Sequence, residues 1–259
     1  MLLLKLLLVP SFLVLVTLIG KRWGPGVAGC LSGFPFSAGP ILFIVALEQG
    51  PVFAASAATA SLAAVCSTIV FCAAYAHASL WFGWVHSLLI AFGAWGSAAF
   101  LLTFIPIDLF WVSLPVALLS LLIAPTIFPR RKTDFATRPF SLVELAVRAG
   151  AGATLTLIVS FSAEAIGTSW SGLLTTYPVI GTVMATFSHH KYGPEFVTVL
   201  LRAMATGLYS LGAFFLVLAL SLAHWGTALG FIAATVFALL VQFAMLKLRS
   251  FAVTPKKGG

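Results

Sequence analysis

The sequence predicts an all-α polytopic membrane protein: nine transmembrane helices, arranged as two inverted four-helix repeats joined by a central linker helix. Three observations carry that prediction. Hydrophobic residues make up 61% of the chain and charged residues only 8%, against roughly 25% charged in soluble domains. A pattern recurs once at an offset of 143 residues without a gap: Gly29-x-Leu31, Pro35 and Gly50-Pro51-x-Phe53 return as Gly172-x-Leu174, Pro178 and Gly193-Pro194-x-Phe196. The basic residues, finally, sort to one side of the predicted spans.

Apolar runs of about 18 residues or more read as membrane helices. They fall at 4–20, 28–48, 52–76, 80–104, 108–128, 142–163, 170–190, 196–222 and 226–247. The first run follows a short basic start, as in a secretory signal. Lys21-Arg22 behind it favours an N-out anchor, and its match to 147–163 makes it a repeat element, so a retained helix is expected. In the third span, the Ala, Ser and Thr content from Ala54 to Ala64 suits close helix packing. Cys30, Cys66 and Cys72 lie in spans with no CxxC pair and read as small packing residues. The fifth span and the charged stretch from Pro129 to Pro139 divide the chain into a first repeat (1–106), a linker helix and loop (107–140) and a second repeat (141–259). Trp81, Trp84, Trp111, Trp170 and Trp225 lie near helix ends, where an interfacial belt is expected.

The formal net charge of +8 does not imply nucleic-acid binding, because of where the charges fall. With nine spans, Lys21, Arg22, Arg130, Arg131, Lys132, Arg138, Arg148, Lys191, Arg202, Lys247, Arg249, Lys256 and Lys257 share one side. Lys5 falls on the other, with Glu48, Asp108 and Glu164. The basic side is then cytoplasmic, the N-terminus outside and the C-terminus inside. Lys21 aligns with Glu164 and Glu48 with Lys191. Copies facing opposite leaflets would swap signs in this way; copies facing the same leaflet would not.

The second and seventh spans hold the least ordinary chemistry. Gly33-Phe34-Pro35-Phe36-Ser37-Ala38-Gly39-Pro40 has Thr175-Thr176-Tyr177-Pro178-Val179-Ile180-Gly181-Thr182 as its inverted counterpart. Proline removes a backbone donor and clashes with the carbonyl four residues before it. Lipid cannot satisfy the freed groups, so such breaks are tolerated against protein or a water-lined cavity. Ser32, Pro35, Ser37, Thr175, Thr176, Tyr177, Pro178 and Thr182 are therefore candidate substrate-binding residues. The structural alternative is a proline kink capped by Ser or Thr. Pro35 lies about six residues, roughly 9 Å, from one face and Pro178 similarly far from the other, which suits two half-sites as well as one shared site.

A second cluster, His86, Arg148, His189, His190, Lys191 and Arg202, falls at the cytoplasmic helix ends. It reads as a cationic vestibule for an anion or lipid phosphate, or else as snorkelling side chains, with Glu144 pairing Arg148 at i, i+4. His189 and His190 are adjacent and point to different faces, a poor metal pair.

No Asp or Glu lies at the centre of a span, and no phosphate-binding loop, HExxH or nucleophile elbow occurs. Neither an enzyme nor a cofactor is expected. Each copy resembles the GlpM-type small four-helix bacterial inner-membrane proteins, in Ala28-Gly29-Cys30-Leu31, Phe34-Pro35 and Glu48-Gln49-Gly50. The second copy keeps Gly172, Tyr177-Pro178 and Gly193, with Lys191 in the acidic position. The resemblance implies a fused duplication in the bacterial inner membrane. The plan also looks like that of duplicated dual-topology channels and small multidrug exporters, without the Arg/Asn pattern of the former or the membrane glutamate of the latter. The expectation is a permease for a small polar, anionic or lipid-phosphate solute, with the lipid bilayer as its medium. The alternative is a non-transporting subunit that organises a membrane partner; a homodimer is also left open.

Overall fold

A computed structural model describes residues 2–129, 142–166 and 177–253. The basic run 130–138, together with Trp170, Gly172, Leu174, Thr175 and Thr176, lies outside the described residues. Among those described, the chain is all-helical, with no strand. Its helices are α1 (Leu2–Trp23), α2 (Pro25–Ser32), α3 (Ala38–Gln49), α4 (Pro51–Ala78), α5 (Trp84–Leu102), α6 (Phe110–Ile127), α7 (Leu142–Ile166), α8 (Val179–Tyr192) and α9 (Pro194–Val253). Five stretches are long and apolar enough to cross a membrane: Pro51–Ala78, Trp84–Leu102, Phe110–Ile127, Leu142–Val159 and Pro194–Leu248. The chain is membrane-embedded in character.

Glycine followed by proline makes the sharpest corners. Gly24, Gly50 and Gly193 adopt φ of 84°, 89° and 86°, with ψ of 173°, 163° and 179°. That region is open essentially to glycine alone. The prolines that follow open the next helix, where a missing N–H costs nothing. One residue thus joins α3 to α4 and α8 to α9. Gly226 (φ 73°, ψ 178°) makes a similar corner inside α9, dividing it into arms at 194–225 and 227–253.

Three differences from the sequence reading stand out. The second span is two helices, not one kinked helix: α2 and α3 are separated by the non-helical residues 33–37. The first helix is longer than its apolar run. The last two spans are two helical arms that meet directly at the non-helical Gly226, without the short loop the sequence left between them.

The packing interlocks the two repeats instead of setting them side by side. The matched helices α1 and α7 pack together, as do α4 and α9, and α2 lies along α9. Glycine sets the α2–α9 distance. A Cβ on Gly29 would stand 2.1 Å from the Leu200 carbonyl oxygen, and one on Gly207 would stand 1.9 Å from that of Cys30. This is the small-xxx-small crossing of membrane helices, formed by Gly29 and Gly33 against Ala203 and Gly207. Gln242, buried in the second arm of α9, donates to the Cys30 carbonyl at 3.0 Å and accepts from Ser210 Oγ at 2.7 Å. It joins both sides of the crossing. α4 is the most enclosed of the five long helices, with Ala54, Ala58, Ala63 and Ala64 fully buried, as its small-residue content implies. The three cysteines form no disulfide; Cys30 and Cys72 are buried.

Candidate functional site

The break between α2 and α3 meets the start of α8. Pro35 and Pro178 line one cavity of about 50 Å³, measured over the centres of water-sized spheres. At about 10–15 Å³ per water, that is room for roughly four. Its wall is assembled in matched pairs from the two repeats. Phe34 faces it with Tyr177, Pro35 with Pro178, Ser37 with Ile180, Ala38 with Gly181, Ser61 with Met204, Val65 with Leu208 and Thr68 with Leu211. Each pair is 143 residues apart. The cavity is therefore the place where the sequence repeat closes on itself.

Local structure explains what faces the space. α3 starts at Ala38 and α8 at Val179, so both present their N-terminal ends to the cavity. The first turn of a helix leaves N–H groups without intrahelical partners and carries a positive partial charge. The turns tighten through Gly39 N–H to the Pro35 carbonyl at 2.9 Å and Thr182 N–H to the Pro178 carbonyl at 2.8 Å. α2 ends at Ser32, whose hydroxyl donates back to the Ala28 carbonyl at 2.8 Å. Ser61 does the same to Ala57. The lining carries no charged side chain among the described residues.

Of the candidate binding residues, the fold brings Ser32, Pro35, Ser37, Tyr177 and Pro178 to the cavity. Thr182 stands behind it and bonds the Tyr177 hydroxyl at 2.7 Å. Sequence reasoning missed Ser61, Val65 and Thr68 of α4. Their i, i+4, i+7 spacing marks one helix face, and that was the available signal. Tyr177 is held by aromatic rings: stacked on Phe92 at 4.9 Å and edge-on to Trp95 at 5.0 Å and Phe71 at 6.0 Å.

The expected cationic vestibule does not form as one basin. Arg148 is 1% exposed, so it does not snorkel. Its guanidinium donates to Glu144 at 2.8 Å, as i, i+4 spacing predicts, and lies 5.6 Å from the Phe187 ring. Lys191 pairs with the other Glu144 oxygen. One carboxylate thus serves two cations where α8 closes on α7. His189 is buried with its ring 5.8 Å from Tyr75, whereas His190 turns to Trp84 at 6.1 Å. The two adjacent histidines do point apart. His86 is exposed and Arg202 partly buried.

Beyond Tyr177 lie polar atoms with no hydrogen-bond partner: Tyr75 Oη, Trp95 Nε1, Thr186 Oγ1 and His189 Nδ1. Each such buried group costs about 1–3 kcal/mol if left dry. Comparison with known protein families, curated proteins and solved structures finds no match to this chain.

Proposed function

We propose that the chain is an integral membrane permease, carrier or channel-like, for a small polar solute, with its site between the paired broken helices. It crosses the bilayer nine times as two inverted repeats, a fused duplication of the GlpM type in the bacterial inner membrane, with its N-terminus outside and its C-terminus cytoplasmic. The observation that carries this reading is the cavity built from matched residues at both breaks. Discontinuous helices whose N-termini meet at the repeat interface are a recurrent transporter design. A wall of hydroxyls, freed backbone groups and helix N-termini suits a neutral solute or a small anion, and a volume of about 50 Å³ suits one of a few heavy atoms. A lipid phosphate would need a wider state.

Reconstitution in liposomes tests the reading against a panel of small neutral solutes, anions and lipids. Protein-dependent flux is expected, and Pro35→Ala, Pro178→Ala and Ser32→Ala should lower flux per folded molecule by about tenfold while the folded yield holds, because Ala restores a helix donor. A fall in yield with unchanged specific flux would make the breaks structural. No flux for any solute would favour the subunit that organises a partner complex.

A further inference from the structure

Thr182, Thr186 and His189 stand at i, i+4 and i+7 of α8 and so share one face, about 10 Å long. Thr182 begins that row at the Tyr177 hydroxyl, on the cavity wall. Tyr75 of α4 and Trp95 of α5 join the row from the facing helices. The Thr186 and Tyr75 hydroxyls are neighbours, which leaves Trp95 Nε1 and His189 Nδ1 as the atoms most in need of a partner. Tyr75 and His189 are in ring contact, and Trp95 touches Tyr177. Tyr75, Trp95 and His189 are 0%, 5% and 7% exposed, yet each keeps a polar atom unpartnered. The row ends at His189, one turn before Gly193 closes the helix.

The matched positions on the other side of the cavity are Gly39, Phe43, Ala46, Leu218 and Ala238. Not one has a polar side chain. Phe43 packs edge-on to Phe231 at 5.1 Å, and Phe231 to Phe214 at 6.1 Å. The matched rows therefore differ in chemistry: one carries hydrogen-bonding groups, the other only apolar and aromatic side chains.

We infer that the α8 row, with Tyr75 and Trp95, is a hydrated track joining the central cavity to the Gly193 end of α8, and that it binds water and small hydrogen-bonding solutes. The inference rests on the permease reading for its purpose but not for its test. Water in the track gives each orphaned group a partner, which buried polar atoms in native proteins almost always have.

Hydroxyl radicals made in situ by X-ray radiolysis of water mark side chains that have water beside them. In the protein in lipid nanodiscs, Tyr75 and Trp95, corrected for intrinsic reactivity, are expected to oxidise at least about tenfold faster than the comparably buried Phe214, which does not line the cavity. Thr186→Val should slow oxidation at Trp95 several-fold. Tyr75 and Trp95 as protected as Phe214 would overturn the track, and so would a Trp95 rate indifferent to Thr186→Val. Flux past a dry row removes this inference and leaves the permease standing. A wet row without flux keeps the track and removes the permease.

Discussion

Around the first break the cavity wall is Phe34, Ser37, Ser61 and Thr68; around the second it is Tyr177, Ile180, Met204 and Leu211. The residues match in sequence at an offset of 143, yet in each of these four pairs one member is polar and the other is not. Three hydroxyls come from the first repeat and one from the second. The scaffold has kept what only geometry can supply, namely helix ends, glycine corners and prolines. It has let side-chain chemistry diverge, so that a wall built twice is not duplicated in its polarity. A site formed in this way has a polar flank and a greasy flank, and can orient a solute that has both.

The comparison is broken most severely at the glycine crossing. Gly207→Ala should cost more than about 3 kcal/mol, because its Cβ would meet the backbone of Cys30 and Gly33, which cannot swing aside. The matched Ala64→Gly should cost about 1 kcal/mol in helix propensity and lost packing. Denaturant unfolding of both variants in the same detergent measures the gap; equal losses would mean that the crossing does not set the α2–α9 distance.

Glu144 comes next. Glu144→Gln leaves the buried Arg148 without its carboxylate and should cost about 3–5 kcal/mol. Lys191→Met, removing a side chain that is a quarter exposed, should cost less than about 1 kcal/mol. Thermal unfolding separates the two, and a severe Lys191→Met would make Lys191 the cation that matters.

A smaller effect is expected at the corners. Gly226→Ala should lose about 1–3 kcal/mol, since its φ of 73° is closed to other residues. Gly83→Ala, at the matched position with φ −66°, should be neutral to within about 0.5 kcal/mol. The same unfolding assay reads both.

The finest distinction lies in the wall. Ser61→Ala and Thr68→Val should each reduce flux by about tenfold, or about 1.4 kcal/mol. Met204→Leu and Leu211→Val on the opposite flank should stay within about twofold. Initial uptake rates in proteoliposomes decide it; equal sensitivity of both flanks would mean the solute is held by backbone alone.

Much of this was legible before any coordinates. Apolar length located the long helices, because a bilayer leaves no other solution for such runs. The Gly50-Pro51 and Gly193-Pro194 pairs announced their corners, since their backbone demands belong to the residue type. Pro35 marked the gap between α2 and α3, and Pro178 the start of α8. What stayed hidden depends on which helices meet. Nothing local says that Gly29 and Gly33 cross Gly207, or that Ser61 and Thr68 turn toward the breaks and not toward lipid. Arg148 shows its Glu144 partner by spacing, but its burial follows from α8 closing over it. His189 and Tyr75 likewise become neighbours only through packing.

The α2–α9 crossing also dictates an order of assembly. α2 has eight residues, roughly 12 Å of helix, well short of the ~30 Å hydrocarbon layer. Its glycines face Leu200 to Leu208, about 170 residues downstream, so the partner leaves the ribosome about 170 residues later. Until then the first break and the small-residue face of α4 have no lasting cover. The nascent first repeat must wait, shielded by insertion machinery or lipid, until α9 completes what α2 began.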